Sequence, residues 1–141
     1  MSSTPVQFLT SRDNALLKDL RRLAHDATAY RKQGRYWVEG DHLCRAALTR
    51  GVRPAVAVFR ETYWPLAPVQ YAQSAIKIVV IPDSLFQEIS GLESPSAFGF
   101  ILDLPSQQSL RANEATVILD RVQDAGNVGS ILRSASAFGF K

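Results

Sequence analysis

Hydrophobic residues recur along the first hundred positions with two spacings, one typical of helices and the other of buried strands. Leucines and alanines three and four residues apart follow Ser11, a predicted helix N-cap, and Gly34 ends that pattern. Short runs rich in valine and isoleucine predict strands. The predicted strands are 35–39, 55–59, 77–81 and 97–102, with further helices beginning at Gly40 or Asp41 and at Asp83 or Ser84, and a loop with a short helix near Gln70 over 61–75.

Strands that alternate with helices predict an α/β fold, with a mainly parallel sheet covered on both faces. That pattern completes one domain near Leu104, and the polar residues after it are typical of a linker. A fifth strand is predicted over 115–120 and a helix over 127–138. We therefore predict a domain over 1–104, a linker over 105–114 and the beginning of a second domain over 115–141. One strand and one helix cannot close a core, so we expect the second domain to be incomplete in these 141 residues.

Basic residues are concentrated in the first part of the chain. Residues 1–60 contain 11 Lys and Arg against five Asp and Glu, a net charge of +6, whereas the whole chain carries +3. This excess points to a polyanionic partner, with nucleic acid ahead of a membrane surface, and a solvated basic face is the alternative. The candidate contacts cluster near the stacking rings of Tyr30 and Tyr36; they are Arg12, Lys18, Arg22, Arg31, Lys32 and Arg35.

The rest of the composition narrows the class of protein. The single cysteine, Cys44, lies in an apolar run, which predicts a buried thiol in a reducing compartment. With only His25 and His42 beside it, no metal site is expected. We find no signal peptide and no apolar run of about 18 residues, so we expect no membrane partner and a cytoplasmic location.

The segment from Asp120 to Arg133 runs from the end of a predicted strand into a helix, which is where open parallel sheets bind ligands. Gly126 is expected to allow a positive φ, and Asn127 to cap the helix. On a helical projection Arg133 lies away from the apolar stripe and reaches over Gly129 toward Asn127. The stripe itself contains Val128, Ile131, Leu132, Ala135, Phe138 and Gly139.

An amide, a guanidinium and free backbone N–H groups at a helix N-terminus suit a phosphate or a ribose. The alternative is a simple turn followed by a solvated arginine. The spacing of Gly126 and Gly129 excludes a dinucleotide-binding fingerprint.

The run VILDRVQDAGNVGSILRSASAFGF resembles the first signature motif of the SpoU (TrmH-type) RNA ribose 2′-O-methyltransferases. Its core, Asn-x-Gly-x-x-x-Arg, is met by Asn127, Gly129 and Arg133. The stretches TSRDNALLKDLRRL and RKQGRYWVEG, with the apolar helix that follows, resemble the family's substrate-binding domain, so the resemblance covers nearly the whole chain. Ala125 stands where the family usually has proline, which affects the rigidity of the turn rather than the chemistry.

The resemblance implies an N-terminal α/β/α sandwich, like a ribosomal-protein RNA-binding domain, and then the first strand and helix of a truncated α/β-knot (SPOUT) domain. It implies methylation of a ribose 2′-OH in structured RNA by S-adenosyl-L-methionine, with ribosomal RNA favoured over transfer RNA. It also implies a homodimer formed through the complete catalytic domain. The motifs that hold the cofactor are absent from this chain, so we expect no cofactor-binding residue here. The chain alone is expected to bind RNA without methylating it.

Within this resemblance Arg133 has the activating role. Because arginine stays protonated, we expect it to bind a phosphate and to stabilise the developing alkoxide. Asn127 would orient Arg133 or the ribose, and Asp124 would fix the loop through backbone N–H groups.

The sequence also gives predictions for Trp37 and Glu39, and it leaves two alternative functions open. Trp37 is predicted in the core, and Glu39 either pairs with Arg31 or is a strand-end carboxylate near a helix start. A non-catalytic RNA-binding module, with 106–141 as a tail or a dimerisation arm, is one alternative function. A small-nucleotide-binding α/β protein is the other.

Overall fold

The computed structural model describes residues 4–107 and 109–140, which divide into two compact units, one ending at Pro105 and the other beginning at Ser106. In the first unit the strands are β1 (Val6–Phe8), β2 (Arg35–Glu39), β3 (Val56–Arg60), β4 (Lys77–Ile81) and β5 (Phe98–Asp103). Its helices are α1 (Ala15–His25), α2 (Ala29–Gln33), α3 (Asp41–Thr49), α4 (Val69–Ala72) and α5 (Asp83–Ile89), with a 3₁₀ turn at Trp64–Leu66.

The described strands form one mixed sheet in the order β1-β4-β3-β5-β2. β4 pairs in parallel with both β1 and β3, whereas β5 pairs antiparallel with both β3 and β2. The prediction of a mainly parallel sheet is therefore wrong for half of these pairings. β1 to β4 share one direction, so we call the edge where they begin the strand-start edge and the opposite edge the strand-end edge.

The reversed direction of β5 follows from where the chain enters it. The oxygens of Ala97 and Phe98 accept hydrogen bonds from the N–H groups of Arg60 and Gly40, each at 3.0 Å, so β5 begins at the strand-end edge. A parallel crossover must instead carry the chain back to the strand-start edge. α5 has seven residues, a length of about 10 Å, and the loop after it returns to the strand-end edge.

Both faces of the sheet are covered by helices, because alternate strand residues point to opposite sides. A separate buried core lies on each side of the sheet, and different helices cover the two cores. On one side, α1 and α5 cover the sheet with Leu17, Leu20, Phe86 and Ile89 packed on Val56, Val58, Val79 and Ile81. On the other side, α3 and α4 contribute Cys44 and Tyr71, packed on Ala57, Phe59, Ile78, Val80, Phe98 and Phe100. The predicted α/β/α sandwich is thus confirmed.

Trp37 of β2 packs against the α1/α5 core, as predicted, with its ring 6.1 Å from that of Phe86. The Trp37 ring also lies directly beside Gly99 of β5. A Cβ added at Gly99 would lie 2.3 Å from the Trp37 ring and 2.6 Å from the oxygen of Val38. The aromatic side chain on β2 therefore requires glycine on β5.

Three local features of the first unit differ from the sequence prediction. α1 is capped by Asn14 rather than by Ser11, because the Asn14 side chain accepts a hydrogen bond from the N–H of Leu16 at 2.9 Å. β1 was not predicted, since its three residues are exposed and show no alternation. α2 was also missed, being only five residues long and ended by the left-handed Gly34.

The second unit contains α6 (Ala125–Ala137). The predicted strand over 115–120 is wrong, since these residues lie outside any helix or strand. A strand needs a hydrogen-bonded neighbour, and no described residue of this unit supplies one. None of the described residues from 106 to 140 is buried.

No described helix combines the length and apolar character needed to cross a bilayer. No described group of three or more His, Cys, Asp or Glu side chains is arranged to hold a metal ion.

Candidate functional site

The segment with the candidate chemistry forms the beginning of α6. Asp124 is the N-cap, and its Oδ1 accepts a hydrogen bond from the N–H of Asn127 at 2.8 Å. The prediction that Asn127 caps the helix is wrong, because the helix begins two residues before it and Asn127 lies inside the first turn. The loop-fixing bond proposed for Asp124 is present.

Gly126 and Gly129 have different local roles. Gly126 is helical and does not have the predicted positive φ; within the described chain, the positive-φ glycine of this region is Gly139, after the helix end. A Cβ on Gly126 would lie 2.9 Å from Oδ1 of Asp124, so glycine leaves room for the capping carboxylate. A Cβ on Gly129 would have nothing within 4 Å, which leaves the surface above it open.

Arg133 is exposed on α6, one helical turn after Gly129. No carboxylate of the described residues forms a salt bridge with it. Asn127 is exposed as well, so the amide and the guanidinium are both accessible. The Asp124 carboxylate already occupies the N-terminus of α6, so the exposed group that can bind an anion is the Arg133 guanidinium, with the Asn127 amide available for a hydroxyl-bearing ligand.

The predicted apolar stripe of α6 is only partly covered. Val128, Ile131 and Ala135 are half-buried, whereas Leu132 and Phe138 are 55% and 83% exposed. A shallow apolar depression of about 350 Å³ lies within this unit and is lined by Val117, Ser130, Ile131, Ser134, Ala135, Phe138 and Phe140.

Several of the predicted nucleic-acid contacts are paired with carboxylates in the first unit. Arg12 bridges to Glu88 at 3.1 Å, Lys18 to Asp13 at 3.3 Å, Arg22 to Asp19 at 3.6 Å and Arg35 to Asp103 at 2.8 Å. All of these side chains are exposed, so the pairs are weak and can exchange with a phosphate. Arg31 instead donates from Nε to its neighbour's hydroxyl, that of Tyr30, at 2.8 Å.

Part of this predicted cluster lines a cleft of about 240 Å³ beside α2. The lining residues are Asp19, Arg22, Asp26, Ala29, Lys32 and Gln33. Hydrogen bonds from the backbone and hydroxyl of Thr28 lower the pKa of Asp26, and the nearby Lys32 adds to this effect. The cleft thus contains two acidic and two basic side chains, and its charges balance.

Glu39 organises the strand-end edge and does not pair with Arg31, so that predicted pairing is wrong. Its Oε1 accepts hydrogen bonds from the hydroxyl of Ser90 at 2.7 Å and from the N–H of Ser96 at 2.9 Å. The indole N–H of Trp37 lies 3.4 Å from the other carboxylate oxygen. Glu39 therefore holds the loop that leads into β5. Sequence reasoning missed this because Ser90 and Ser96 lie some fifty positions further along the chain.

Cys44 is fully buried, as predicted, on the α3 side of the sheet. Burial raises the pKa of its thiol to about 12, and the nearby carboxylates of Asp41 and Glu39 act in the same direction. The thiol is therefore a packing group without nucleophilic character.

An α/β/α unit with exposed basic side chains is thus followed, within α6, by the sequence Asn-x-Gly-x-x-x-Arg. Residues 14–98 match the family described as the MRM3-like substrate binding domain. The match spans more than half of the chain, so the chain belongs to that family.

Two curated proteins are similar over nearly all of the chain. The 23S rRNA (guanosine(2553)-2'-O)-methyltransferase RlmP of Bacillus subtilis is 26% identical over 132 residues, which cover 93% of this chain and 51% of RlmP. The uncharacterized tRNA/rRNA methyltransferase slr1673 of Synechocystis is 30% identical over 145 residues, covering 97% of this chain and 52% of that protein. The chain thus spans about half the length of the curated relatives it matches.

Solved structures agree with this relationship. A putative TrmH-family RNA methyltransferase from Porphyromonas gingivalis is 30% identical, with a TM-score of 0.69 over 91% of this chain and 50% of that one. The AdoMet-bound rRNA methyltransferase of Sinorhizobium meliloti is 25% identical, with a TM-score of 0.69 over 96% and 52%. The resemblance to SpoU (TrmH-type) methyltransferases is thus confirmed.

Proposed function

We propose that this chain provides the RNA-binding unit and the first catalytic segment of an RNA ribose 2′-O-methyltransferase. The observation that carries the proposal is that Asn127, in the first turn of α6, and Arg133, six residues further along the same helix, are both exposed, in a chain whose first unit belongs to a substrate-binding-domain family. The relatives' names, which include a 2'-O-methyltransferase acting on 23S rRNA, support the same reaction.

S-Adenosyl-L-methionine is the proposed methyl donor, since a structural relative was solved with AdoMet bound. When bound, it supplies an electrophilic methyl group. The described residues of the second unit include no buried side chain, and a cofactor cavity needs an enclosing surface. We therefore assign the cofactor to no residue of this chain.

The proposed role of Arg133 follows from the chemistry of the acceptor. A neutral ribose 2′-OH is a weak nucleophile, so the reaction needs help as negative charge develops on its oxygen. Arginine acts in proteins as a cation and not as a base, so we give Arg133 no proton-accepting role. It would instead bind the adjacent phosphate and stabilise the developing alkoxide, with Asn127 positioning the ribose or Arg133 itself.

Within the first unit we propose that RNA contacts the basic side chains around α1, α2 and the start of β2. Arg31 and Lys32 are favoured, because no carboxylate among the described residues forms a salt bridge with either. Arg12, Lys18, Arg22 and Arg35 would exchange an exposed carboxylate for a phosphate.

The RNA is proposed to be ribosomal rather than transfer RNA, because RlmP is named for 23S rRNA. A homodimer formed through the complete catalytic half and a cytoplasmic location belong to the same proposal. The non-catalytic alternative predicts the same RNA binding with no methyl transfer by any protein that contains this chain.

The test is to replace Arg133 in a protein of the relatives' full length that contains this chain. Arg133→Ala should lower turnover by about 10²–10³, the usual cost of removing one group that stabilises an oxyanion. Cofactor affinity should stay unchanged, because Arg133 is exposed and the proposal gives it no role in cofactor binding. Arg133→Lys should restore little activity, since lysine lacks the planar fork.

Turnover is measured as 2′-O-methylation of an RNA transcript, and calorimetry gives the cofactor affinity. Full activity of the Arg133→Ala protein would show that the Asn127–Arg133 segment is only a structural turn. No methylation by the unaltered full-length protein on any ribosomal or transfer RNA would favour the non-catalytic alternative.

A further inference from the structure

The strand-start edge of the first unit presents basic side chains that the sequence analysis did not single out. Arg50 directly follows α3, Arg53 lies three residues before β3, and Lys77 is the first residue of β4. Arg50 and Arg53 are exposed, and Lys77 is half-exposed. None of the three forms a salt bridge with a carboxylate of the described chain.

Basic residues at the strand-end edge differ in this respect. Arg45, near the start of α3, bridges to Asp41 at 3.1 Å. Arg60, the last residue of β3, lies 3.4 Å from Asp83. At the strand-end edge these two arginines are paired with carboxylates, whereas Arg50, Arg53 and Lys77 at the strand-start edge form no salt bridge with a described carboxylate.

The strand order of the sheet sets how far apart the two ends of this basic surface lie. The sheet order puts β5 and β3 between β2, which begins at Arg35, and β4, which begins at Lys77. Three strand spacings of about 4.8 Å give a length of roughly 14 Å. Arg35 extends this surface to the edge strand, although Asp103 bridges to it at 2.8 Å. We call Arg35, Arg50, Arg53 and Lys77 the basic strip.

Exposed apolar side chains accompany the basic strip. Val52 precedes Arg53, Ile76 precedes Lys77, and Leu104 follows the end of β5 at the same edge. They are 37%, 55% and 42% exposed. A surface on which cations alternate with apolar side chains suits a single RNA strand, because its phosphates and its unstacked bases are both accessible. A regular duplex hides its bases and offers phosphates only.

We infer that the basic strip binds RNA in an unpaired region, with the arginines and Lys77 on phosphates and Val52, Ile76 and Leu104 against bases. The inference rests on the proposed function and deepens it. It extends the proposed RNA contact from the α1 and α2 region to the strand-start edge. The residues added to the sequence-based set are Arg50, Arg53 and Lys77.

The test measures RNA affinity of the 141-residue chain by filter binding across a series of salt concentrations. The probes are a stem-loop RNA with a large loop and a blunt RNA duplex with the same number of phosphates. Arg50→Gln with Arg53→Gln removes two charges from the strip. Arg45→Gln with Arg111→Gln is the matched control, since both arginines are exposed, each pairs with an exposed carboxylate and neither belongs to the strip.

The strip variant should lose affinity for the stem-loop on the order of tenfold near physiological salt, because release of counterions by two phosphates is lost. The slope of affinity against salt should fall by roughly 1.4 for two single-strand phosphates. The control should change affinity by less than about twofold, as expected for exposed paired charges. Lys77→Gln, added to the strip variant, should weaken binding further, and the unaltered chain should prefer the stem-loop to the duplex.

The possible results distinguish a failure of the proposed function from a failure of the basic strip alone. If the unaltered chain binds neither RNA, the proposed function fails and the strip fails with it. If it binds RNA but the strip variant and the control behave alike, only the strip is overturned. Equal affinity for duplex and stem-loop would overturn the assignment to unpaired RNA. Far-ultraviolet circular dichroism verifies that each variant is folded.

Discussion

Gly99 shows how one side chain dictates another across the sheet. The Trp37 ring and the backbone oxygen of Val38 occupy the space that a Cβ at Gly99 would need. Residue 99 was placed in a strand correctly from the apolar pattern, but the reason for glycine there depends on cross-strand register, with Val38 opposite Phe100 and Glu39 opposite Gly99. A single sequence does not specify that register, so this contact could not be predicted.

We predict that Gly99→Ala destabilises the first unit by about 3 kcal/mol, because both the ring and the backbone oxygen must move in a close-packed core. The measurement is the free energy of unfolding from urea denaturation. Gly91→Ala is the control, since its Cβ would lie 3.4 Å from the nearest atom, an ordinary contact. Equal stability of the two variants would show that β5 shifts freely beneath Trp37.

Cys44 gives a second prediction at the residue scale. Its pKa of about 12, against an ordinary value of 9.0, leaves the thiolate about a thousandfold rarer at pH 8. Alkylation by iodoacetamide should therefore be at least about a hundredfold slower in the native chain than in the same chain unfolded in guanidinium chloride. Mass spectrometry follows the rate, and comparable rates in the two states would show that the thiol is accessible.

The same shift predicts a pH dependence of stability. The folded chain favours the neutral thiol, so its stabilising contribution is complete below about pH 9 and decreases as the pH rises toward 12. Cys44→Ala should remove that decrease along with some packing energy.

At the scale of elements, sequence patterns predicted four strands of the first unit and missed its shortest pieces. β2 and β4 were predicted with the bounds that the structure shows, because their apolar residues alternate or run continuously between Gly and Pro. β1 and α2 have three and five residues, too few for either pattern to repeat. The direction of β5 depended on where α5 and its loop lead the chain, which hydrophobic periodicity does not encode.

At α6 the sequence analysis predicted Asn127 as the N-cap, whereas the structure has Asp124 in that position. Asp124 and Asn127 are both good N-caps, so the pattern alone could not decide between them. The closeness of Gly126 to the Asp124 carboxylate is the feature that fits Asp124, since a larger residue would block it. The helix that carries the candidate site was thus predicted to within two residues of its start, while its capping residue was predicted wrongly.

We predict that Asp124→Ala weakens the start of α6 by about 1 kcal/mol, the usual cost of losing an N-cap. The amide of Asn127, now bonded to Asp124, should exchange with solvent about fivefold faster. Hydrogen exchange monitored by NMR provides the measurement. Asp124→Asn is the control and should keep most of the protection. If Asn127→Ala had the larger effect, the cap would lie where the sequence first suggested.

At the scale of the whole molecule, the two units differ in how many of their described side chains are buried. The first unit has two buried cores and membership of a substrate-binding family, whereas the described part of the second has no buried side chain. The net charge of the first sixty residues led to the prediction of a polyanionic partner from composition alone. It could not show which cations are already paired, because those pairs join distant parts of the chain, such as Arg12 with Glu88.

We predict that the 141-residue chain binds RNA but neither binds S-adenosyl-L-methionine nor methylates RNA. Its second unit, taken by itself, offers one helix and an open apolar depression of about 350 Å³ rather than an enclosing cavity. Calorimetric titration with the cofactor should give no heat of binding, with RNA titration as the positive control. Measurable cofactor binding would mean that residues of this chain form the cofactor pocket after all.

The position of β1 has a consequence for how the chain acquires its structure. Val6 pairs with Ile78, so the first strand of the chain has its neighbour in the fourth. During synthesis β1 is made before β4, so it stays unpaired until β4 has been made. Closing so long a loop is slow compared with the local pairing of helices. We expect β1 to pair last, along the β4 edge of an already assembled β4-β3-β5-β2 sheet. Until then the unpaired backbone groups of β4 are exposed to other nascent chains.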